Sequence, residues 1–465
     1  MNRVALPAAV IMTLFVSRAA CALDWPQWMG PDRDGVWRET GLIDKFPKEG
    51  PKIRWRVPIG NGYGGPAVVG DRVYVMDRQK KLVDPADKTT GKAADKTTGK
   101  PAATRGKSIP GNERLLCLNA NDGSIVWKHE YDCAYTISYS NGPRCTPLIR
   151  DGRVYALGAM GDLTVLDAAT GHVLWTKNLA HEMHAKIPVW GFAAHPLLDG
   201  DLLYSLVGGP GSAVVALNKN TGAVVWKALD TQETGYSPPM IYEFGGKKQL
   251  IVWLSEALYG LDAVTGKQLW KHAYPIGEQL IRPAVNIITT KKVDDLLFIS
   301  TVYHGPMMLK ITADKATMVW KGQSKNPGKP DGAYCLMASP VFKDGYGYGV
   351  GMMGDLHCFD AKTGKDIWQT FAAVTGRKAD CGTVFVIPHE DRYVLFNDQG
   401  DLILADLTPK GYHEISRAHV LEPVAFARGR NVVWSHPAFA DRCVFARNDK
   451  EMVCVSLAKP GTNDG

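Results

Sequence analysis

A ten-residue phrase recurs at a near-constant interval and constrains this chain more than any other feature. LNANDGSIVW, LDAATGHVLW, LNKNTGAVVW, LDAVTGKQLW and FDAKTGKDIW end at Trp127, Trp175, Trp226, Trp270 and Trp368, and a weaker copy, ITADKATMVW, ends at Trp320. The successive tryptophans stand 48, 51, 44, 50 and 48 residues apart. A fixed period of this length marks stacked supersecondary units rather than independent domains. The D/N-x-x-T-G core reads as a tight hairpin turn whose Gly accepts positive φ. The Trp on the next strand then offers a flat face to a neighbouring unit.

Each phrase closes a series of short strand-like runs separated by polar turns. In the unit ending at Trp175, for example, runs at 146–149, 153–157 and 163–166 are separated by Asp151-Gly152 and Met160-Gly161-Asp162. Four such runs make a meander, and the fixed period decides for a propeller. Units fall at 65–131, 141–179, 191–230, 236–274, 281–323 and 335–372, with a degenerate seventh at 380–423 that lacks a terminal Trp. An eighth begins at Trp434 and runs out after three strands. The segment 51–59, PKIRWRVPI, carries Trp55 at the Trp-strand position and supplies the fourth. The expectation is therefore all-β: an eight-bladed β-propeller of four-stranded antiparallel blades, one domain over 51–460, closed by the N-terminal strand so that no sheet edge is left open.

Composition agrees with this reading. The 465 residues are 45% apolar and 22% charged, which excludes intrinsic disorder, and 48 Gly with 28 Pro supply many tight turns. A net charge of +7 with no Arg/Lys cluster interleaved with aromatics excludes a nucleic-acid partner. One stretch breaks the rhythm: an insert at about 79–112 holds two identical copies of ADKTTGK and reads as a disordered surface loop. At the N-terminus, Asn2-Arg3, a short apolar run and Ala20-Cys21-Ala22 read as a cleaved signal peptide over 1–22, followed by an N-terminal extension over 23–50. Cys21 admits a lipoprotein signal, which Arg18, standing where such signals carry Leu, argues against. The chain is expected to be exported, periplasmic or extracellular, not membrane-spanning, and monomeric. Of the other cysteines, Cys443 and Cys454 are the candidate disulfide, because a hairpin through Asn448-Asp449 would set them face to face; two buried free thiols are the alternative.

The L-D-x-x-T-G-x-x-x-W phrase, repeated around an eight-bladed ring, resembles the pyrroloquinoline quinone (PQQ)-type propeller repeat shared by quinoprotein dehydrogenases and the BamB-type outer-membrane assembly factor. The resemblance runs over nearly all of the mature chain. The opening DWPQWMGPDRDG, 24–35, is similar to the N-terminal signature of exported PQQ-like repeat proteins. The enzyme branch implies PQQ held beneath two adjacent cysteines, with a calcium or lanthanide ion and an Asp base. No two cysteines adjoin here, and no C-x-x-C-H for a haem is present. The resemblance thus implies the repeat without that redox site.

In a propeller, the segment entering each innermost strand and the turn between the second and third strands share one face, around the channel mouth. Those positions carry Tyr63, Tyr139, Arg144, Trp190, His195, Tyr236, Glu256, Arg282, His304, Asp355, Trp434 and His436. Such a ring suits a small molecule, a glycan or a peptide. The bland alternative is that aromatics fill a funnel while polar groups satisfy turn backbone. Asp162, Glu256 and Asp355 are the carboxylates that could act as acid and base across the channel. His181 and His184 lie three apart without a third metal ligand nearby in sequence. The blade tryptophans Trp55, Trp127, Trp175, Trp226, Trp270, Trp320 and Trp368 are expected to be structural. With no nucleophile elbow, phosphate loop or dinucleotide-binding glycine pattern, the reading is a non-catalytic binding or scaffold protein of the cell envelope, BamB-like by resemblance. Its rivals are a PQQ-dependent dehydrogenase, which would use PQQ with calcium, and a carbohydrate-active enzyme at the same mouth.

Overall fold

The computed structural model describes residues 23–81, 108–324, 326 and 329–461. The proposed signal segment and the centre of the insert lie outside the described residues. Eight four-stranded antiparallel sheets form the ring, spanning 67–132, 148–178, 197–228, 240–273, 291–321, 341–370, 384–419 and 438–456. The last is completed by Ile53–Pro58, which pairs antiparallel with Glu451–Ser456. Blade 1 departs from the expected insert boundary: Arg72–Lys80 and Gly111–Asn119 pair continuously, Gln79 opposite Asn112 and Lys80 opposite Gly111, so the hairpin extends into the insert from both sides. Among the described residues the only helix is the single turn Leu179–Glu182, capped by the Asn178 side chain.

The recurring phrase acts between blades. Each Trp enters beside a register shift in its outer strand pair and reaches the turn of the next blade. The indole Nε1 of Trp55 donates to Ala120 O at 2.8 Å, Trp127 to Ala168 O at 3.1 Å, Trp175 to Lys219 O at 3.3 Å and Trp226 to Ala263 O at 3.3 Å. Trp320 and Trp368 bond Ala361 O and Thr408 O in the same way. The turn glycine of the receiving blade lies flat on the ring: a Cβ added at Gly171 would come within 2.6 Å of Trp127. T-G is therefore needed twice over, for its positive φ and for the close approach of the ring. Trp270 differs because the weaker copy in the next blade, ITADKATMVW, has lost its glycine; its Nε1 turns to Gln249 Oε1, 2.6 Å away in its own blade. In blade 7 Ser416 stands at the Trp position, opposite Leu404, and its hydroxyl accepts from the backbone N–H of Phe46, a buried residue of the N-terminal extension.

That extension closes the channel. Trp25 pairs with Val68 of blade 1, Pro26 O accepts from Ile149 N of blade 2, and the Arg33 guanidinium bonds Pro196 O and Pro239 O, leading into blades 3 and 4. Further along, the Lys291 ammonium of blade 5 donates to Asp34 O, and Trp37 N donates to Pro388 O of blade 7. Trp25 and Trp37 both pack on Phe439 of blade 8 with ring centroids 5.1 Å apart. The segment thus ties seven of the eight blades across the axis.

The expected facing of Cys443 and Cys454 is corrected. The hairpin pairs Arg447 with Met452, which sets Phe445 opposite Cys454 and Cys443 opposite Ser456. The two cysteines are therefore diagonal rather than facing, with side chains close enough to interact, and all eight described cysteines are free and buried. The turn is shifted one residue toward the C-terminus, to Asp449-Lys450 in place of Asn448-Asp449, because Asn448 N bonds Glu451 O and the Asn448 side chain accepts from Lys450 N and Glu451 N.

Candidate functional site

All eight blades contribute to one cavity of about 360 Å³ at the channel mouth. Its lining includes Tyr63, Tyr139, Arg144, Trp190, His195, Tyr236, Trp434 and His436, residues that the entering segments bring together. The extension supplies the floor: Trp28 stacks on His195, centroids 4.0 Å apart and planes 10° from parallel, and lies 4.9 Å from His436. Its Nε1 donates to Thr289 Oγ1 at 3.0 Å, so the indole is held on both sides. The result is a cup with aromatic walls and a closed base.

Four expected site residues lie elsewhere, because their side chains fold back on their own surroundings. Glu256 accepts from the hydroxyls of Ser255 and Thr231. Arg282 pairs with Glu233 at 3.1 Å and bonds Gln232. His304 bonds Glu278 at 3.0 Å beside a separate, much smaller cavity that shares only Val285 and Tyr303 with the cup. Asp355 is buried against His357. Asp162 likewise bonds Asn178 at 2.7 Å. His181 and His184 are exposed, and among the described residues no group of three or more side chains could hold a metal ion.

Sequence reading missed Trp28, which lies in the extension, and Arg428. The latter sits at positive φ in the turn of a small hairpin, Ala425–Ala427 with Arg430–Val432, that belongs to no blade and packs under Tyr63 and Trp434. The Arg428-Gly429 pair between short alternating runs was its signal.

The electrostatics are one-sided. Among the described residues lining the cup none is Asp or Glu, whereas Arg144 and Arg428 both reach it. Arg144 is buried, its guanidinium 5.0 Å over the Tyr63 ring. Its Nε donates to Trp190 O at 2.5 Å and its Nη2 to Ser138 O and Ser140 O, leaving Nη1 unbonded. The two histidines are neutral. Burial, with Arg33 and His436 adding, pushes His195 well below the usual imidazole range, and burial pushes His436 down to about 4. Their partners fix the tautomers: His195 Nδ1 accepts from Thr146 N, so its Nε2 carries the proton, whereas His436 Nδ1 donates to Pro437 O, so its Nε2 is a lone-pair acceptor. The Trp434 Nε1 is buried without a partner.

These donors do not fit a calcium-assisted quinone site. The cup offers a single thiol, Cys381, with neither carboxylate nor Asn to hold a cation. They equally lack the carboxylate pair of a glycoside hydrolase.

The family model described as outer membrane protein assembly factor BamB matches residues 111–370, more than half of the chain. The chain belongs to this PQQ-repeat propeller family. Among curated family relatives it is 26% identical to outer membrane protein assembly factor BamB of Yersinia pestis, over 41% of this chain and 49% of that protein. It is 31% identical to quinoprotein ethanol dehydrogenase of Pseudomonas putida, over 29% of this chain and 24% of the enzyme. The match therefore spans half or less of these relatives' length. Two solved structures share the fold: BamB from Moraxella catarrhalis, TM-score 0.53 at 17% identity, covering 76% of this chain and 92% of that one, and quinohemoprotein alcohol dehydrogenase from Comamonas testosteroni, TM-score 0.56 at 12% identity, covering 94% and 81%.

Proposed function

We propose that this chain is an exported, non-catalytic binding or scaffold protein of the cell envelope that takes a small ligand in the closed cup and presents the surrounding loops to a partner protein. The observation that carries this reading is the lining itself: aromatic walls from seven blades with Leu336, Met337 and Met352 from the sixth, two neutral histidines at the base and no carboxylate to serve as acid, base or metal ligand. The basic start, apolar run and Ala20-Cys21-Ala22 of the sequence support export in this reading, and no helix among the described residues is long and apolar enough to cross a membrane. Likeness to an outer membrane assembly factor makes an envelope assembly component the partner of this reading.

The test is native mass spectrometry of the full chain purified from the envelope fraction, followed by reconstitution with PQQ and calcium and a dye-linked alcohol and sugar oxidation assay. The expected result is a stoichiometric small-molecule adduct lost on Trp434→Ala substitution, with no quinone retention and no turnover. Retained quinone with turnover would replace the binding protein by a dehydrogenase.

A further inference from the structure

Between blades 4 and 5 the chain runs over the mouth face as a strap, residues 275–283, that is attached by side chains alone. No backbone N–H or C=O of this segment bonds another described residue, so its polar groups are left to solvent. Ile276 and Ile281 stand exposed on it. Two latches hold it down. Glu278, near its middle, accepts from the Lys321 ammonium and, at 3.0 Å, from His304 Nδ1. At its end Arg282 pairs with Glu233 at 3.1 Å and bonds Gln232.

What the strap covers works against those latches. Leu280 and Ile281 roof a cavity of about 10 Å³, room for no more than one water molecule. Asn286 and His304 line it, 3% and 6% exposed, and Asn286 Oδ1 and His304 Nε2 are buried without a protein partner. A buried polar atom that has left bulk water without gaining a bond is destabilising. With the strap down these two atoms share one water at most; with it lifted, each meets solvent. Val285 and Tyr303 line both this cavity and the cup, so one layer of side chains divides the two spaces.

We propose that residues 275–283 are a gate: released from the Glu278 latch, the strap lifts, opens the small cavity and makes a side entrance to the cup. Two partly exposed ion pairs set against two buried polar atoms leave the strap poised rather than locked. The gate stands on this geometry alone, whereas its use by a ligand rests on the reading of the cup as a binding site.

The test places a thiol beneath the strap. Ser255 lines the small cavity and is 3% exposed, so Ser255→Cys in the full chain reports opening through its reaction with methyl methanethiosulfonate, followed by peptide mass. Native Cys335, fully buried, is read in the same samples as the gauge of global unfolding. With the latch intact the introduced thiol should react slowly. Glu278→Gln, which keeps the shape and drops the charge, should speed that reaction about tenfold, as the loss of charge-assisted hydrogen bonds predicts, while Cys335 stays unchanged. Lys321→Met should act in the same direction. Thr301→Cys, in the wall of the same cavity, is the second position if Ser255→Cys does not fold. Equal rates with and without the latch, or a rate that rises only in step with Cys335, overturn the gate. The binding reading then still stands or falls on the mass-spectrometric adduct, which does not depend on the strap.

Discussion

The indole of Trp28 lies parallel to the imidazole of His195, 4.0 Å from it, so the base of the cup is built from a segment that precedes the first blade. Trp28→Ala should remove the floor while leaving the ring, whose blades are held by their own ladders. The expected cost is about 2–3 kcal/mol by urea denaturation, with native far-ultraviolet dichroism retained and ligand affinity lost. Trp28→Phe, which keeps an aromatic face on His195, should restore most of both. If affinity survives Trp28→Ala, the floor has no part in binding.

The pairing of Gly171 with Trp127 gives a cleaner test of what the repeat is for. Gly171 and Gly152 have φ of +73° and +69°, but only Gly171 has a ring against it, whereas nothing lies within 4 Å of a Cβ at Gly152. Gly152→Ala should cost only the backbone term, about 1 kcal/mol. Gly171→Ala should cost that plus displacement of the Trp127 ring, about 2–4 kcal/mol in total. Equal midpoint shifts in urea for the two variants would show that the phrase encodes a turn and nothing between blades.

This pair also explains why the fold was legible. The turn glycine and the tryptophan recur because each blade solves the same packing problem with the next, and Trp55 announced ring closure from the far end of the chain. The site was legible only in part. Tyr63, Trp190, His195 and His436 reach the cup because backbone topology alone sends an entering segment to the mouth. Glu256, Arg282, His304 and Asp355 share that face, but each has a nearer partner that turns its side chain away, and pairwise partners do not show in a repeat pattern. Trp28 was hidden for the opposite reason: its place depends on threading the extension across the axis, which no local period encodes.

Because Cys443 and Cys454 are free thiols, reducing agents are expected to leave stability unchanged. The eight described cysteines are buried, and burial pushes the thiols of Cys117, Cys358 and Cys381 each up to about 11. Native protein at neutral pH should therefore react slowly with a thiol-exchange reagent, and these cysteines should react only on unfolding. Dithiothreitol should leave the urea midpoint unchanged. A drop of several kcal/mol on reduction would instead reveal a disulfide.

His357 carries the pH dependence of blade 6. Its Nε2 meets Asp355 Oδ2 at 2.6 Å and its Nδ1 meets Asp366 Oδ1 at 2.9 Å. Burial pulls its pKa down, but the hydrogen bonds to Asp355 and Asp366, with the charges of both carboxylates, outweigh burial and hold it at about 9. The folded value lies above the unfolded one near 6.5, so this stabilisation is fully present below about pH 6.5, declines as pH rises and is lost above about pH 9. At its fullest it is worth about 3 kcal/mol, by linkage across that interval. His357→Gln removes the charge and should flatten the profile, so the difference in unfolding free energy between wild type and variant should shrink steadily between about pH 6.5 and pH 9. A difference that stays constant over that range would mean that His357 is neutral in the folded protein and that Asp355 and Asp366 serve it only as hydrogen-bond acceptors.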